Sequence, residues 1–205
     1  MIVQVFLISG LISFFGTIPP ATINVTVLQL ALKNRAKQAV ALAIGAAIID
    51  SFYAGLSVNI AAYLEQHLAF SNSFFLIAAL ALLVLGTISL SGKFKPEVKA
   101  LEKQSKIGLG QGLLLGLFNP LAMPFWLGWI SVLQMNGWID VEGYNYWGFI
   151  LGAFVGEVSL LMIVVRVGER FTKIAENRLL VNIIPGAVLV ILGIVNLINW
   201  FSFYW

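Results

Sequence analysis

Two acidic residues stand in the middle of long apolar stretches of this sequence. Asp50 lies halfway along the apolar run 38–63, and Glu157 lies slightly past the middle of the run 145–166. A charged side chain at the centre of a membrane-spanning helix costs about 2.5–3.5 kcal/mol on insertion scales. No Lys or Arg lies deep in any apolar run to neutralise these acids. The partner of each carboxylate is therefore expected to be a proton, a cation or the ammonium group of a substrate.

The helix face that carries Asp50 is small or polar, which favours a binding surface over lipid contact. Helical spacing places five side chains beside the carboxylate: Ala43, Ala46, Tyr53, Ala54 and Ser57. Glu157 has Ala153 and Gly156 nearby but fewer polar companions, so whether it lines the same surface stays open. The structural alternative for both acids is a protonated carboxyl that hydrogen-bonds a neighbouring helix.

Two proline motifs, GTIPPATIN (16–24) and GLFNPLAMP (116–124), interrupt apolar runs. Proline removes a backbone donor and strains the preceding turn, so Pro20 and Pro120 are expected to break their helices. In a membrane the freed backbone groups are tolerated only where they face protein or water, and a new helix N-terminus suits a substrate carboxylate. A proline kink that only shapes helix packing is the alternative. Neutral hydrogen-bonding side chains accompany the breaks: Thr22, Asn24 and Asn119.

The composition indicates that helices inside a membrane hold these residues. Hydrophobic residues make up 60% of the chain and charged residues only 10%, against about 45–50% and about 25% in soluble proteins. This excludes a soluble enzyme, a nucleic-acid-binding module and a disordered chain. The chain has no cysteine and a single histidine, and no metal site is predicted. Six continuously apolar runs are long enough to span a bilayer as α-helices: 2–31, 38–63, 72–92, 108–134, 145–166 and 180–203.

The basic residues give these spans an orientation. All 12 Lys and Arg residues lie in or next to three connections, at 33–37, 93–106 and 166–178, and the other two connections contain none. By the positive-inside rule, the three basic connections are expected in the cytoplasm and both termini outside. Most tryptophans, with Trp126 and Trp129 among them, are expected to anchor the helices at the membrane surface.

The two halves of the chain carry corresponding residues. At an offset of 107 residues, a glycine, an acid and a second glycine of the first half return in the second: Gly45, Asp50 and Gly86 as Gly152, Glu157 and Gly193. At an offset of 100 residues, the first break matches the second: Gly16 and Pro20 as Gly116 and Pro120. Because each half has three spans, an odd number, the halves must be inverted relative to each other, as in many secondary transporters.

We therefore predict an all-α polytopic membrane protein, a single domain over residues 1–205. Six transmembrane helices form two inverted three-helix repeats, at 1–92 and 108–205, joined by a basic cytoplasmic linker at 93–107. Helices one and four are interrupted at proline, in line with the broken helices of secondary transporters.

Four motifs resemble those of the LysE-type translocator family, small exporters of amino acids and related metabolites. Residues 18–20 (IPP) occupy the place of the family's Pro-Gly-Pro element, and residues 33–37 (KNRAK) that of its basic turn. Residues 45–50 (GAAIID) resemble its Gly-x-x-x-Gly-Asp motif, and residues 119–122 (NPLA) its Asn-Pro-Lys-Ala motif. The resemblance covers nearly the whole chain.

Carried over position by position, the resemblance implies Pro20, Asp50, Asn119 and Pro120 as core elements of a transport site. It implies efflux driven by the proton gradient or the membrane potential, across a bacterial plasma membrane, with no cofactor and no enzymatic activity. Substrate identity is not carried over, because two departures fall at the presumed binding breaks: Pro19 replaces a glycine and Leu121 replaces a lysine.

Two transport functions follow as alternatives, beside a third class, a non-transporting membrane scaffold or enzyme, for which no nucleophile-and-base motif stands out. The first is a secondary transporter that exports amino acids or related zwitterions, with the broken helices at the carboxylate and Asp50, with or without Glu157, at the amine or a coupling proton. The second is a transporter of divalent or other inorganic cations from the same superfamily, with the acids and asparagine oxygens as ligands. The expected partners are a small-molecule substrate and the lipid bilayer, with no nucleic acid. Whether the chain forms a homodimer is left open.

Overall fold

A computed structural model describes residues 1–18, 22–66, 68–91, 108–119, 121–168 and 183–202. The regular structure in these ranges is entirely helical, as the sequence predicts. In chain order the helices are α1 (Ile2–Gly16), α2 (Thr22–Leu32), α3 (Ala36–Gln66), α4 (Leu68–Leu90), α5 (Leu109–Leu117), α6 (Ala122–Met135), α7 (Tyr144–Arg166) and α8 (Ile184–Ser202).

Length and composition identify membrane spans among these helices. Within the described residues, Ala36–Tyr63 of α3 and Tyr144–Arg166 of α7 are each long and apolar enough to cross a bilayer alone. Helices α5 and α6, bent by 66° at a short break, form a third span when taken together. Shorter apolar helices make up α1, α2 and most of α8. The chain is therefore a multi-pass membrane protein.

The helices end and restart where the proline motifs lie. Helix α1 ends at Gly16 and α2 begins at Thr22, while α5 ends at Leu117 and α6 begins at Ala122. The predicted breaking residues themselves, Pro20 and Pro120, are outside the described residues, as is the linker 93–107.

Helices α3 and α7 form the centre of the packing, and they contact each other directly. Helix α1 packs along α7, and α5 packs along α3. Helix α2 contacts both central helices, whereas α6 contacts α3 and also reaches α4 and α8. Helices α4 and α8 form a further closely packed pair. Each half therefore places its broken helix against a central helix of the other half.

Glycines allow the closest of these approaches. A Cβ atom on Gly112 of α5 would lie 2.9 Å from the backbone nitrogen of Ala46 in α3. A Cβ atom on Gly156 of α7 would lie 3.0 Å from the backbone nitrogen of Phe14 in α1 and would meet the carbonyl of Gly10. Backbone atoms cannot retreat as a flexible side chain can, so any larger residue would push these helices apart.

Apart from Asp50 and Glu157, the described charged residues separate towards the two ends of the helix bundle. Gly168, just after Arg166, faces Leu28 and Leu32 of α2, so the C-terminal end of α7 lies beside the basic turn at 33–37. Gly148, near the start of α7, faces Ile2. The acidic connection before α7 and the start of α1 therefore share the opposite end. This arrangement agrees with the charge pattern of the sequence, and the orientation itself stays a prediction.

Single cysteines test this orientation, because the chain has none of its own. Ala36 and Glu142 are both exposed and lie at opposite ends of the bundle. With the basic end in the cytoplasm, an impermeant maleimide should label Glu142→Cys in intact cells and Ala36→Cys only after permeabilisation. Ala36→Cys keeps every basic residue, so its own topology is not disturbed. Labelling of Ala36→Cys in intact cells would show that the orientation is opposite to the predicted one.

Candidate functional site

The two predicted acids meet where α3 packs against α7. The carboxyl groups of Asp50 and Glu157 are hydrogen-bonding neighbours. Glu157 is 4% exposed, whereas Asp50 is half-buried. Small residues permit this approach, since Ala46 and Ala54 on either side of Asp50 are fully buried. The structure thus joins one acid from each half of the chain into a pair, referred to below as the acid pair.

Two further residues reach the acid pair from the broken helices. The Trp126 indole in α6 donates a hydrogen bond from Nε1 to Oδ1 of Asp50, at 3.0 Å. Ser13 in α1, one turn before the first break, lies beside the Asp50 carboxyl. The Ser13 hydroxyl and Oε2 of Glu157 are buried without a hydrogen-bond partner. The acid pair therefore contacts both broken helices and carries unused hydrogen-bonding capacity.

Trp126 corrects the prediction that it anchors a helix at the membrane surface. Its side chain is fully buried, and its ring packs edge-on against Phe149 with ring centroids 5.5 Å apart. Trp138 and Trp147, at 58% and 60% exposure, remain suited to the membrane surface. The sequence signal that could have identified Trp126 is its position inside the apolar run 108–134. An indole N–H that is buried there needs a hydrogen-bond acceptor.

No basic side chain in the described ranges compensates the acid pair. Lys33, Lys37 and Arg166 are exposed and Arg35 is half-buried, all at the basic end of the bundle. Two ionised carboxylates side by side repel each other strongly. Such a pair must share a proton or hold a cation. Within the described residues, no group of three or more acidic, histidine or cysteine side chains could hold a metal ion.

Polar side chains bridge the first break. The Asn24 amide donates from Nδ2 to the carbonyl of Thr17, across the gap between α1 and α2. The Thr17 hydroxyl donates to the carbonyl of Ser13 at 2.8 Å, and the carbonyl of Thr22 accepts the Thr26 hydroxyl at 2.6 Å. Asn24 is 3% exposed, so its amide stabilises carbonyl groups that the helix can no longer pair.

The second break is stabilised from another helix and by its own asparagine. Tyr53 donates from its hydroxyl to the carbonyl of Leu117, the last residue of α5, at 2.8 Å. Oδ1 of Asn119 accepts the backbone N–H of Leu121 at 3.2 Å, and the Asn119 carbonyl accepts the backbone N–H of Ala122 at 3.4 Å. Pro124 has no N–H to offer. The start of α6 therefore presents fewer open donors for a substrate carboxylate than its motif suggests.

The predicted site residues fall into three places. Asp50 and Glu157 form the acid pair, and Thr22 and Asn24 lie at the first break. Tyr53 links the face of Asp50 to the second break, where Asn119 accepts the backbone N–H of Leu121. Pro20 and Pro120 lie outside the described residues. Ser13 and Trp126 join the acid pair although the sequence did not predict them as site residues.

Removing the Tyr53 hydroxyl should weaken the second break. Tyr53→Phe leaves the Leu117 carbonyl without this donor, and a typical intramolecular hydrogen bond contributes about 0.5–1.5 kcal/mol to stability. We expect a lower Tm for the variant purified in detergent, measured by intrinsic fluorescence. Tyr144→Phe is the matched control, because Tyr144 is 86% exposed. An unchanged Tm for Tyr53→Phe would show that the hydrogen bond does not stabilise the break.

Comparison with known proteins places these features in one family. The family model described as LysE type translocator matches residues 14–199. This range includes both breaks, both members of the acid pair and Trp126. No curated protein and no solved structure matches the chain.

Proposed function

The chain belongs to the LysE type translocator family, and from this membership and the acid pair we propose that it exports amino acids or related small zwitterions by secondary transport. Family membership makes it a membrane translocator and not an enzyme. The observation that carries the finer proposal is the acid pair, which lies between both broken helices and has no basic partner in the described structure. Such a site suits the ammonium group of a substrate and a coupling proton.

The proposed architecture is six spans in two inverted repeats. The helix contacts support it, because α1 packs on α7 as α5 packs on α3, while α3 with α7 and α4 with α8 pair corresponding helices. Glycine contacts add to this support. Gly86 faces Gly186, and Gly193 faces Ala79, which are equivalent pairs at the offset of 107 residues. The proposed setting is a bacterial plasma membrane, with both termini outside.

In this proposal the two ends of a zwitterion are held by different elements. The half-buried Asp50 is the accessible acid and binds the ammonium group. The carboxylate is assigned to the first break, where Thr22 stands in the first turn of α2 and the positive end of the helix dipole lies. The second break is the weaker candidate for this role, because Asn119 already accepts the backbone N–H groups of Leu121 and Ala122 and Pro124 has none to offer. Export is driven by the proton gradient or the membrane potential.

The alternative proposal is transport of an inorganic cation. The unpartnered Ser13 hydroxyl and Oε2 of Glu157, together with the Asp50 carboxylate, are oxygen ligands of the kind that hard cations prefer. Divalent ions usually take six or more oxygen ligands, often from several carboxylates. The acid pair supplies only two carboxylates, which favours the zwitterion over the metal ion.

Counterflow in proteoliposomes separates these functions. Vesicles are loaded with one standard L-amino acid at a time, and uptake of the same amino acid in labelled form is measured. The measurement is then repeated with the carboxyl-amidated analogue of that amino acid. The amide retains the ammonium but loses the anion, and a hydrogen bond to a charged group contributes about 1.5–3 kcal/mol. We therefore expect the free acid to be transported about tenfold or more better than the amide. Transport of divalent metal with no response to any amino acid would support the cation transporter instead.

Replacing the accessible acid should abolish export while the fold remains. Asp50→Asn preserves the side-chain volume, and its Oδ1 can still accept the Trp126 N–H, but it cannot pair with an ammonium group. We expect counterflow to fall to the level of empty vesicles, with a normal gel-filtration profile of the purified protein. The matched control is Asp140→Asn, an exposed acid in the connection before α7. Normal counterflow by Asp50→Asn would remove this carboxylate from the transport site.

A further inference from the structure

We propose that Asp50 and Glu157 form one site that holds a single positive charge at a time, either a proton shared between the two carboxyls or the ammonium group of the outgoing substrate. The inference rests on the proposed export of zwitterions and adds how coupling arises. Proton and substrate exclude each other at the acid pair, so each substrate molecule that leaves is exchanged for one proton that enters.

The geometry of the acid pair explains why a proton and an ammonium group exclude each other there. The two carboxyls are hydrogen-bonding neighbours between α3 and α7, so one proton is enough to join them and leaves the pair with one negative charge. An ammonium group on Asp50 also leaves one negative charge, provided that Glu157 has released the proton. Both occupants use the oxygens that face each other in the pair, so they cannot be present together.

The surrounding helices offer no other group for this charge. In the parts of α1, α2, α4, α5, α6 and α8 that the structure describes, there is no Asp, Glu, Lys, Arg or His. The titratable groups elsewhere on α3 and α7 lie towards the helix ends, except Tyr53, whose hydroxyl donates to Leu117. Tyr146, near the start of α7, accepts a hydrogen bond from Asn59 at 3.0 Å. The coupling proton is therefore carried by the acid pair.

Trp126 is the positioning residue that decides how the pair shares its proton. An indole N–H only donates, so Oδ1 of Asp50 must accept and cannot carry the proton on that oxygen. The Trp126 hydrogen bond stabilises negative charge on Asp50, whereas Glu157 has no comparable donor and its Oε2 has no partner. We therefore place the shared proton on Glu157, which donates it to Asp50. When an ammonium group binds Asp50, the Glu157 proton leaves to the cytoplasm, and a proton from outside restores the pair after release.

The first experiment measures protons directly. The L-amino acid with the highest counterflow is titrated into the purified wild-type protein by calorimetry, in two buffers with different ionisation enthalpies. We expect about one proton released per amino acid bound. At pH values at which the acid pair is protonated, the Kd of the amino acid should rise about tenfold for each unit by which the pH falls. Binding without proton release would overturn the inference.

The second experiment replaces the proton carrier. Glutamine cannot take up or release a proton, so binding of the amino acid to Glu157→Gln should release no proton and lose its pH dependence. Proton release equal to that of the wild type would show that another group carries the proton. Because Glu157 is buried, this variant could fail to fold, and a third experiment therefore leaves both acids in place.

Trp126→Phe keeps an aromatic ring against Phe149 but removes the N–H that stabilises the Asp50 carboxylate. A hydrogen bond to a charged group is worth roughly a tenfold change in an equilibrium. The proton should then compete more strongly, and the midpoint of the pH profile for binding should move up by about one unit. The matched control is Trp129→Phe in the same helix, because Nε1 of Trp129 has no hydrogen-bond partner. If the pH profiles for binding had the same midpoint in Trp126→Phe and Trp129→Phe, the positioning role of Trp126 would be contradicted.

The two proposals fail in different ways. If the wild-type protein exchanges no amino acid, the proposed function is wrong. If it exchanges amino acids and binding releases no proton, export stands and the competition is wrong.

Discussion

The packing of α3 against α7 is the constraint on which the rest of the site depends. Small residues such as Ala46 and Ala54 let the two helices come close enough for Asp50 and Glu157 to become neighbours. Either acid alone would be a costly group in a membrane. Together they form a pair that must contain a positive charge to be stable. Close packing of the two central helices therefore brings with it the need for a proton or another cation at this pair.

The broken helices matter because each of them places one residue next to the acid pair. Ser13 stands one turn before the first break, and Trp126 stands in α6 shortly after the second. Both breaks are held by named partners, Asn24 at the first and Tyr53 and Asn119 at the second. A break with its own hydrogen bonds can remain in a membrane.

Much of this site follows from the sequence, and the missing parts have a physical reason. The sequence predicts Asp50 and Glu157 as site residues, because a charged side chain is costly in an apolar run and because the two acids correspond between the halves. The breaks are predicted from the chemistry of proline. Trp126 was misinterpreted as a surface anchor, because tryptophan serves both at the membrane surface and in the core. Its burial comes from contacts with Asp50 in α3 and Phe149 in α7, which no local pattern predicts. Asn119 could equally bind a ligand or accept from its own backbone, and only the structure shows that its side chain accepts the N–H of Leu121.

The glycine contacts have a consequence for how the two halves are joined. Gly112 joins α5 to α3, and Gly156 joins α1 to α7, in each case backbone against backbone. Helices in such contact have no long side chains between them to slide over. The closest backbone contacts therefore join α1 to α7 and α5 to α3, one helix from each half of the chain. The contact between these two mixed pairs, α3 against α7, is the one at which the two carboxyls meet.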